Sequence, residues 1–266
     1  MVDKSTSNLS LDGKVILVTG VSRAMGIGAE ITRVLANAGA KVLTHGNPIY
    51  DQSMQYSDAD HSFPGTLQDE LVTDGNVVRN LGYSDLSQDG AAEDLIEQAR
   101  MVFGYLDGLV LNHAYSTHAP IGSWTSEHID LHLQVNVRAA MLMIQAFARQ
   151  LPKGRRGAIT LFTSGQYLGP MIDEIAYAVS KEAIIGLNRQ ASYALADQNI
   201  QVNCINPGPT DTGYLSGEIH QQVAERFPGG KWGMPADAAR LVHFLQSDYS
   251  AWITGETISS EGGFRR

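Results

Sequence analysis

Cysteine is almost absent from this chain, with one, Cys204, among 266 residues. A single thiol excludes an internal disulfide framework and fits a reducing compartment. Long apolar runs are also missing. The longest, such as Val15-Ile16-Leu17-Val18, are strand-sized and fall far short of the roughly 20 residues needed to cross a bilayer. The opening Met1-Val2-Asp3-Lys4-Ser5-Thr6-Ser7 is polar and lacks the apolar stretch of a signal peptide. Cations are scarce: 19 Lys and Arg stand against 28 Asp and Glu, a formal charge of −9. A surface of that sign repels phosphate backbones and anionic lipid, so neither nucleic acid nor a membrane is expected as a partner, and a cytoplasmic location is. His128 and His132 share a helical face, but no His-Glu-x-x-His or cysteine pair accompanies them, so no metal is expected.

What the chain does have is alternation. Strands are expected at Lys14–Thr19, Lys41–His45, Asn76–Leu81, Leu106–Asn112, Gly157–Phe162, Ile200–Ile205 and Thr257–Ser260. Helical patterns lie between them at Ile27–Ala38, Gly90–Phe103, Ser126–Leu151, Ala176–Gln198 and Ala236–Leu245. Strands that are nearly continuous apolar runs, separated by helices, imply a parallel sheet buried on both faces. Right-handed crossovers make it a doubly wound α/β (Rossmann) fold of about seven strands. No linker divides the chain, so residues 1–266 read as a single domain. Residues 1–12 read as a loosely held lead-in, 46–64 as a polar surface insertion, and 207–235 as a mobile flap over a site, with a weak helical pattern from Tyr214 to Arg226.

The first strand runs into Thr19-Gly20-Val21-Ser22-Arg23-Ala24-Met25-Gly26-Ile27-Gly28 and then a helix. Glycines allow close backbone approach, and the helix N-terminus offers free N–H groups to a pyrophosphate. A glycine trio alone is common; its place between the first strand and the first helix gives it meaning. The second strand ends without the carboxylate that holds an NAD ribose, the corresponding position being Gly46. Arg23 is then the candidate partner of a 2′-phosphate, with His45 or Asn47 nearby. NADP(H) is the expected cofactor and NAD the alternative.

Tyr177 and Lys181 lie four apart on a helical pattern, so phenol and ammonium share one face. An unperturbed phenol titrates near ~10. A neighbouring ammonium is expected to lower it toward a useful range. Ser164, at the end of the fifth strand, is placed to hydrogen-bond a substrate oxygen and orient a carbonyl.

The Thr-Gly turn, the Gly26-Ile27-Gly28 step and the set Ser164, Tyr177, Lys181 resemble the short-chain dehydrogenase/reductase family over almost the whole chain. One departure is five residues, Val21 to Met25, where the family has three. The resemblance assigns Gly20, Ser22 and Ile27 to the cofactor. It assigns Asp85 and Leu86 to adenine, and Asn112 and Ala114 to the wall beside the cofactor. His113 and Tyr115 depart from the family's Asn-Asn-Ala-Gly. Asn136 matches a fourth catalytic residue whose side chain would hold water near Lys181. Pro207, Gly208, Thr210 and Thr212 would close over the nicotinamide. Tyr115, Gln166, Tyr167, Met171 and Tyr214 are candidate pocket walls.

The resemblance also implies a homotetramer built on the Ser126–Leu151 and Ala176–Gln198 helices and the C-terminal region, with the apolar residues around Met141 and Met143 in support. The implied activity is hydride transfer between nicotinamide and a small-molecule ketone or secondary alcohol, near 3-oxoacyl-thioester and carbonyl reductases. Two other classes remain: a nucleotide-binding regulator without turnover, and an epimerase or dehydratase that retains its cofactor.

Overall fold

The central apolar runs become strands because they are covered on both sides. In the computed structural model, which describes residues 9–266, the strands are β1 (Val15–Thr19), β2 (Lys41–Gly46), β3 (Val78–Tyr83), β4 (Gly108–Leu111), β5 (Gly157–Phe162), β6 (Ile200–Asn206) and β7 (Thr257–Ser259). They form one seven-stranded parallel sheet in the order β3-β2-β1-β4-β5-β6-β7. The helices are α1 (Ile27–Asn37), α2 (Pro48–Ser53), α3 (Phe63–Thr73), α4 (Ala91–Phe103), α5 (Ser126–Leu133), α6 (Ala139–Gln150), α7 (Ile175–Leu195), α8 (Gly217–Ala224) and α9 (Pro235–Gln246).

Successive side chains on a strand point to opposite faces, and β1 shows it. Ile16 and Val18 pack with Leu35, Leu67 and Val242 of α1, α3 and α9, whereas Val15 and Leu17 pack with Leu95, Phe147 and Ile184 of α4, α6 and α7. Each large side chain buried this way contributes roughly 1.5–3 kcal/mol. The strand order reverses between β1 and β4, and a crevice opens outside the carboxyl ends of the strands at that switch point.

The doubly wound fold is as expected from the sequence, and four local expectations need correcting. The lead-in is not loose throughout: residues 1–8 lie outside the described residues, but Leu11 is fully buried and its N–H donates to the Ala38 carbonyl at 2.8 Å. Residues 46–64 are not a plain loop. Asn47 caps α2 by accepting from Tyr50 N at 3.1 Å, and the segment ends in α3, which buries Phe63, Leu67 and Leu71. The long Ser126–Leu151 helix is broken by a π turn at Gln134–Arg138 between α5 and α6. The helix expected to end at Gln198 stops at Leu195, and Ala196–Gln198 form a 3-10 turn.

The first crossover sets the tightest contact. A Cβ on Gly28, in the first turn of α1, would lie 2.2 Å from the Gly20 carbonyl oxygen. Helix α1 can therefore approach the end of β1 only with a bare Cα there. Gly28→Ala is expected to destabilise the protein by about 1–3 kcal/mol, as overpacking does. Urea denaturation checks this; an unchanged midpoint would mean that α1 shifts away freely.

Candidate active site

A cleft of about 490 Å³ follows the switch point, from Asp85 and Leu86 beyond β3 to Tyr115 and Tyr177. Gly20 (φ +74°) turns the chain at its floor, where a Cβ would meet Asn112 and the His113 backbone within 2.9 Å. The Asn112 amide donates to the Thr19 and Gly20 carbonyls at 3.2 and 3.1 Å, clasping β1 to the end of β4. Gly20, Ser22, Arg23, Ile27, Asp85, Leu86, Asn112, Ala114, Tyr115, Tyr177 and Thr212 all line the cleft, so the structure gathers most of the sequence-predicted cofactor residues. Their arrangement fits a dinucleotide. The floor is bare backbone, the α1 N-terminus opens into the cleft, and two buried polar atoms on lining residues, His45 Nδ1 and Asp51 Oδ2, have no protein partner. Pro207, Gly208 and Thr210 do not line it. They form a tight turn, with Gly208 N donating to Asn206 Oδ1 at 3.0 Å and Thr210 buried.

Arg23 is not the free cation expected. Its Nε donates to Asp58 Oδ1 at 2.8 Å, its Nη2 to the Thr212 carbonyl at 2.5 Å, and the guanidinium lies 3.8 Å from the Tyr56 ring centroid. Asp58 also accepts from Met25 N at 2.9 Å. The lengthened turn and the 46–64 insertion are thus fitted to each other, with Arg23 buried between them. His45 donates Nε2–H to the Ser84 carbonyl at 3.0 Å, and its burial disfavours the imidazolium. Asn47 spends its side-chain oxygen on α2. Sequence reasoning missed Asp51, a buried carboxyl at this end of the cleft that burial holds above the usual carboxylate range.

At the other end, α7 carries Tyr177 and Lys181 on one face, and the Lys181 Nζ lies 5.6 Å from the Tyr177 ring centroid. Nζ donates to the Phe162 carbonyl at 2.9 Å, and burial brings the ammonium down to about 8. The expected lowering of the phenol is absent here. Burial raises Tyr177 well above its ordinary value, with the Ser164 hydroxyl opposing and the Glu174 carboxylate reinforcing the rise. A phenol in that state is a proton donor.

Asn136 sits in the π turn and is buried. Its side chain is fully engaged, accepting from Tyr115 N at 2.7 Å and donating to Tyr115 O at 2.9 Å and Ser180 Oγ at 2.8 Å. It therefore ties the loop after β4 to α7 rather than offering its amide to water. A pocket of about 10 Å³ lies beside it, bordered by His113, Phe162 and Lys181, with the room of one water molecule. His113 accepts from the Thr19 hydroxyl at Nδ1 (2.7 Å) and donates from Nε2 to the Val135 carbonyl of the π turn (3.1 Å). Burial keeps it neutral, at about 3.

The candidate pocket walls divide. Tyr115 lines the cleft, and Tyr214 packs edge-on to Trp232 with 6.0 Å between ring centroids. Tyr167 is turned away, its hydroxyl 2.5 Å from Ser259 Oγ. Gln166 is drawn to Thr163 and Glu182 at 3.0 and 3.1 Å. Met171 is half-buried in the turn before α7, where its carbonyl accepts from Glu174 N at 3.2 Å. His132 is buried against Tyr115 and bonds the His128 carbonyl at 2.7 Å. Among the described residues no group of three or more His, Cys, Asp or Glu is placed to hold a metal ion.

Comparison with known proteins agrees with this geometry. A family model described as Enoyl-(Acyl carrier protein) reductase matches residues 20–265. An uncharacterised oxidoreductase, YjdA of Bacillus subtilis, is 38% identical over 256 residues, spanning 95% of this chain and 97% of its own. A short-chain dehydrogenase/reductase from Serratia marcescens superposes with a TM-score of 0.83 at 30% identity, over 96% of this chain and 99% of that one. A 3-oxoacyl (acyl-carrier-protein) reductase from Agrobacterium tumefaciens, solved with NADP bound, gives 0.84 at 28% identity, over 99% and 100%. The chain belongs to the short-chain dehydrogenase/reductase family of oxidoreductases.

Proposed function

We propose that this protein is an NADP(H)-dependent carbonyl reductase or alcohol dehydrogenase, with Tyr177 as its general acid and base. The observation that carries the reading is the placement of Tyr177 at the end of a dinucleotide-shaped cleft, on the face of α7 that it shares with Lys181. When bound, NADPH supplies the hydride that reaches the carbonyl carbon. Ser164 holds the carbonyl oxygen by a hydrogen bond, and Tyr177 gives that oxygen its proton, so the C=O becomes CH–OH. Lys181 carries positive charge to the phenolate left behind, and the one-water pocket beside it offers a route for reprotonation.

NADP(H) as cofactor is supported by the absence of an acid at Gly46 and by the NADP in the Agrobacterium relative. Asp58 neutralises Arg23 and so weakens this preference. A homotetramer is proposed on the family resemblance and on apolar side chains left exposed on α6 and α7, such as Met141 and Val179. A cytoplasmic location is proposed because Cys204 is buried and unpaired; no helix among the described residues is long and apolar enough to cross a membrane.

Three measurements test the reading. Tyr177→Phe should reduce single-turnover hydride transfer by roughly 10²–10⁴-fold, the usual worth of general acid catalysis, with NADPH affinity nearly unchanged. Ser164→Ala should lower turnover with the same binding, and normal transfer in folded Tyr177→Phe would remove the assignment. Fluorescence titration should show NADPH binding more tightly than NADH, and Asp58→Asn should widen the difference by freeing Arg23; a wild-type preference for NADH would contradict the cofactor.

The third test is thermal. Burial disfavours the Lys181 charge, lowering its folded value to about 8 from the 10.5 of an exposed lysine. Its cost to stability is therefore complete below pH 8 and fades as pH rises toward 10.5. Lys181→Met should abolish turnover yet melt higher than wild type at pH 7, with the gap closing by pH 10. A lower melting temperature at pH 7 would show that the Phe162 contact outweighs the buried charge.

A further inference from the structure

Charge at the substrate mouth is one-sided. Among the described residues Arg23 is the only lysine or arginine lining the cleft, and Asp58 neutralises it. Glu174, three residues before Tyr177 and at the N-cap of α7, stands with no such cancellation by a fixed cation. The Ser116 hydroxyl donates to its Oε1 at 3.1 Å, and the exposed His118 lies 3.7 Å from the same oxygen. Its other oxygen, Oε2, has no protein donor among the described residues. Ser116 lines the cleft and is itself fixed there, its N–H donating to Tyr50 Oη at 3.1 Å while Tyr50 donates to its carbonyl at 2.9 Å. The Tyr50 and Tyr115 rings meet with centroids 5.4 Å apart on the same side. The Glu174 charge also reaches Tyr56, Tyr177 and Tyr214, since it raises all three phenols.

We infer that Glu174 is a specificity-determining residue that restricts the substrate to aromatic carbonyl compounds bearing no negative charge. The inference rests on the carbonyl-reductase reading above. The rings of Tyr50 and Tyr115 offer an aromatic substrate stacking and edge contacts. A carboxylate next to the reacting carbonyl would meet the charge of Glu174, which stands three residues before Tyr177 and is held by the cleft-lining Ser116, in a partly desolvated site where like charges repel. A neutral ester of the same skeleton meets the same rings without that repulsion.

Ethyl benzoylformate and benzoylformate form such a pair, assayed with NADPH at pH 8. The wild type should reduce the ester with kcat/KM at least tenfold above the acid. Glu174→Gln should narrow that ratio about tenfold, mainly through a lower KM for the acid, and Glu174→Asp, which keeps the charge, should preserve it. Equal efficiency on both ketones in the wild type, or an unchanged ratio in Glu174→Gln, would overturn the inference. Reduction of neither aromatic ketone would also overturn it. NADPH oxidation with an aliphatic ketone in the same panel would then leave the hydride-transfer reading standing.

Discussion

The tight approach of α1 to the end of β1, where a Cβ on Gly28 would run into the Gly20 carbonyl oxygen, sets the geometry of much that surrounds it. It aims the unpaired N–H groups of α1 into the switch-point crevice. The Asn112 amide then binds the same two carbonyl-bearing residues, Thr19 and Gly20, so the end of β4 is held at the same height as the turn. His113, the next residue, passes that constraint to the π turn through Val135, and Asn136 in the turn passes it to Ser180 on α7. Tyr177 and Lys181 lie within one helical turn of Ser180. The position of the proton donor relative to the glycine turn is therefore set by hydrogen bonds between buried groups, which are costly to leave unmade.

Electrostatics in the cleft are graded along its length. At the adenine end, Asp58 and Asp51 surround one arginine, and the balance is negative. At the catalytic end, the buried Lys181 ammonium has a backbone carbonyl and the face of the Tyr177 ring beside it and, among the described residues, no carboxylate partner. That uncompensated cation costs stability in the isolated protein, the common trade at a site built for a charged transition state. The raised phenol and the lowered ammonium have the same cause, withdrawal from water, and each favours its uncharged form.

How much of this was legible in the sequence depends on the range of the interaction concerned. The β1 run and the Tyr177–Lys181 spacing are local patterns, and they read correctly. Helix α3 carries apolar residues at Phe63, Leu67 and Leu71, a helical spacing, but Pro64 and Gly65 at its start disguised it as loop. The π turn was invisible because Gln134–Arg138 has an ordinary helical composition; its shape comes from the tertiary bonds of Val135 and Asn136. The sequence places Arg23 in the glycine-rich turn, yet its carboxylate partner lies 35 positions away in a segment whose polar composition reads as a surface insertion. Tyr167 lies in the loop after β5, but its direction is set by a partner 92 residues on, Ser259, which local sequence does not reveal.

The Arg23 junction has an evolutionary consequence. Its guanidinium joins three stretches of chain that are far apart in sequence: the lengthened turn, the insertion at Asp58 and the carbonyl of Thr212. Deleting the insertion alone would strand a buried cation, and shortening the turn alone would strand Asp58, which also receives the Met25 N–H. An unpaired buried charge costs several kcal/mol, a large part of what keeps a domain folded. The two length changes therefore behave as one inherited trait: a lineage gains or discards them together, and a chimera taking one without the other begins with a stability deficit.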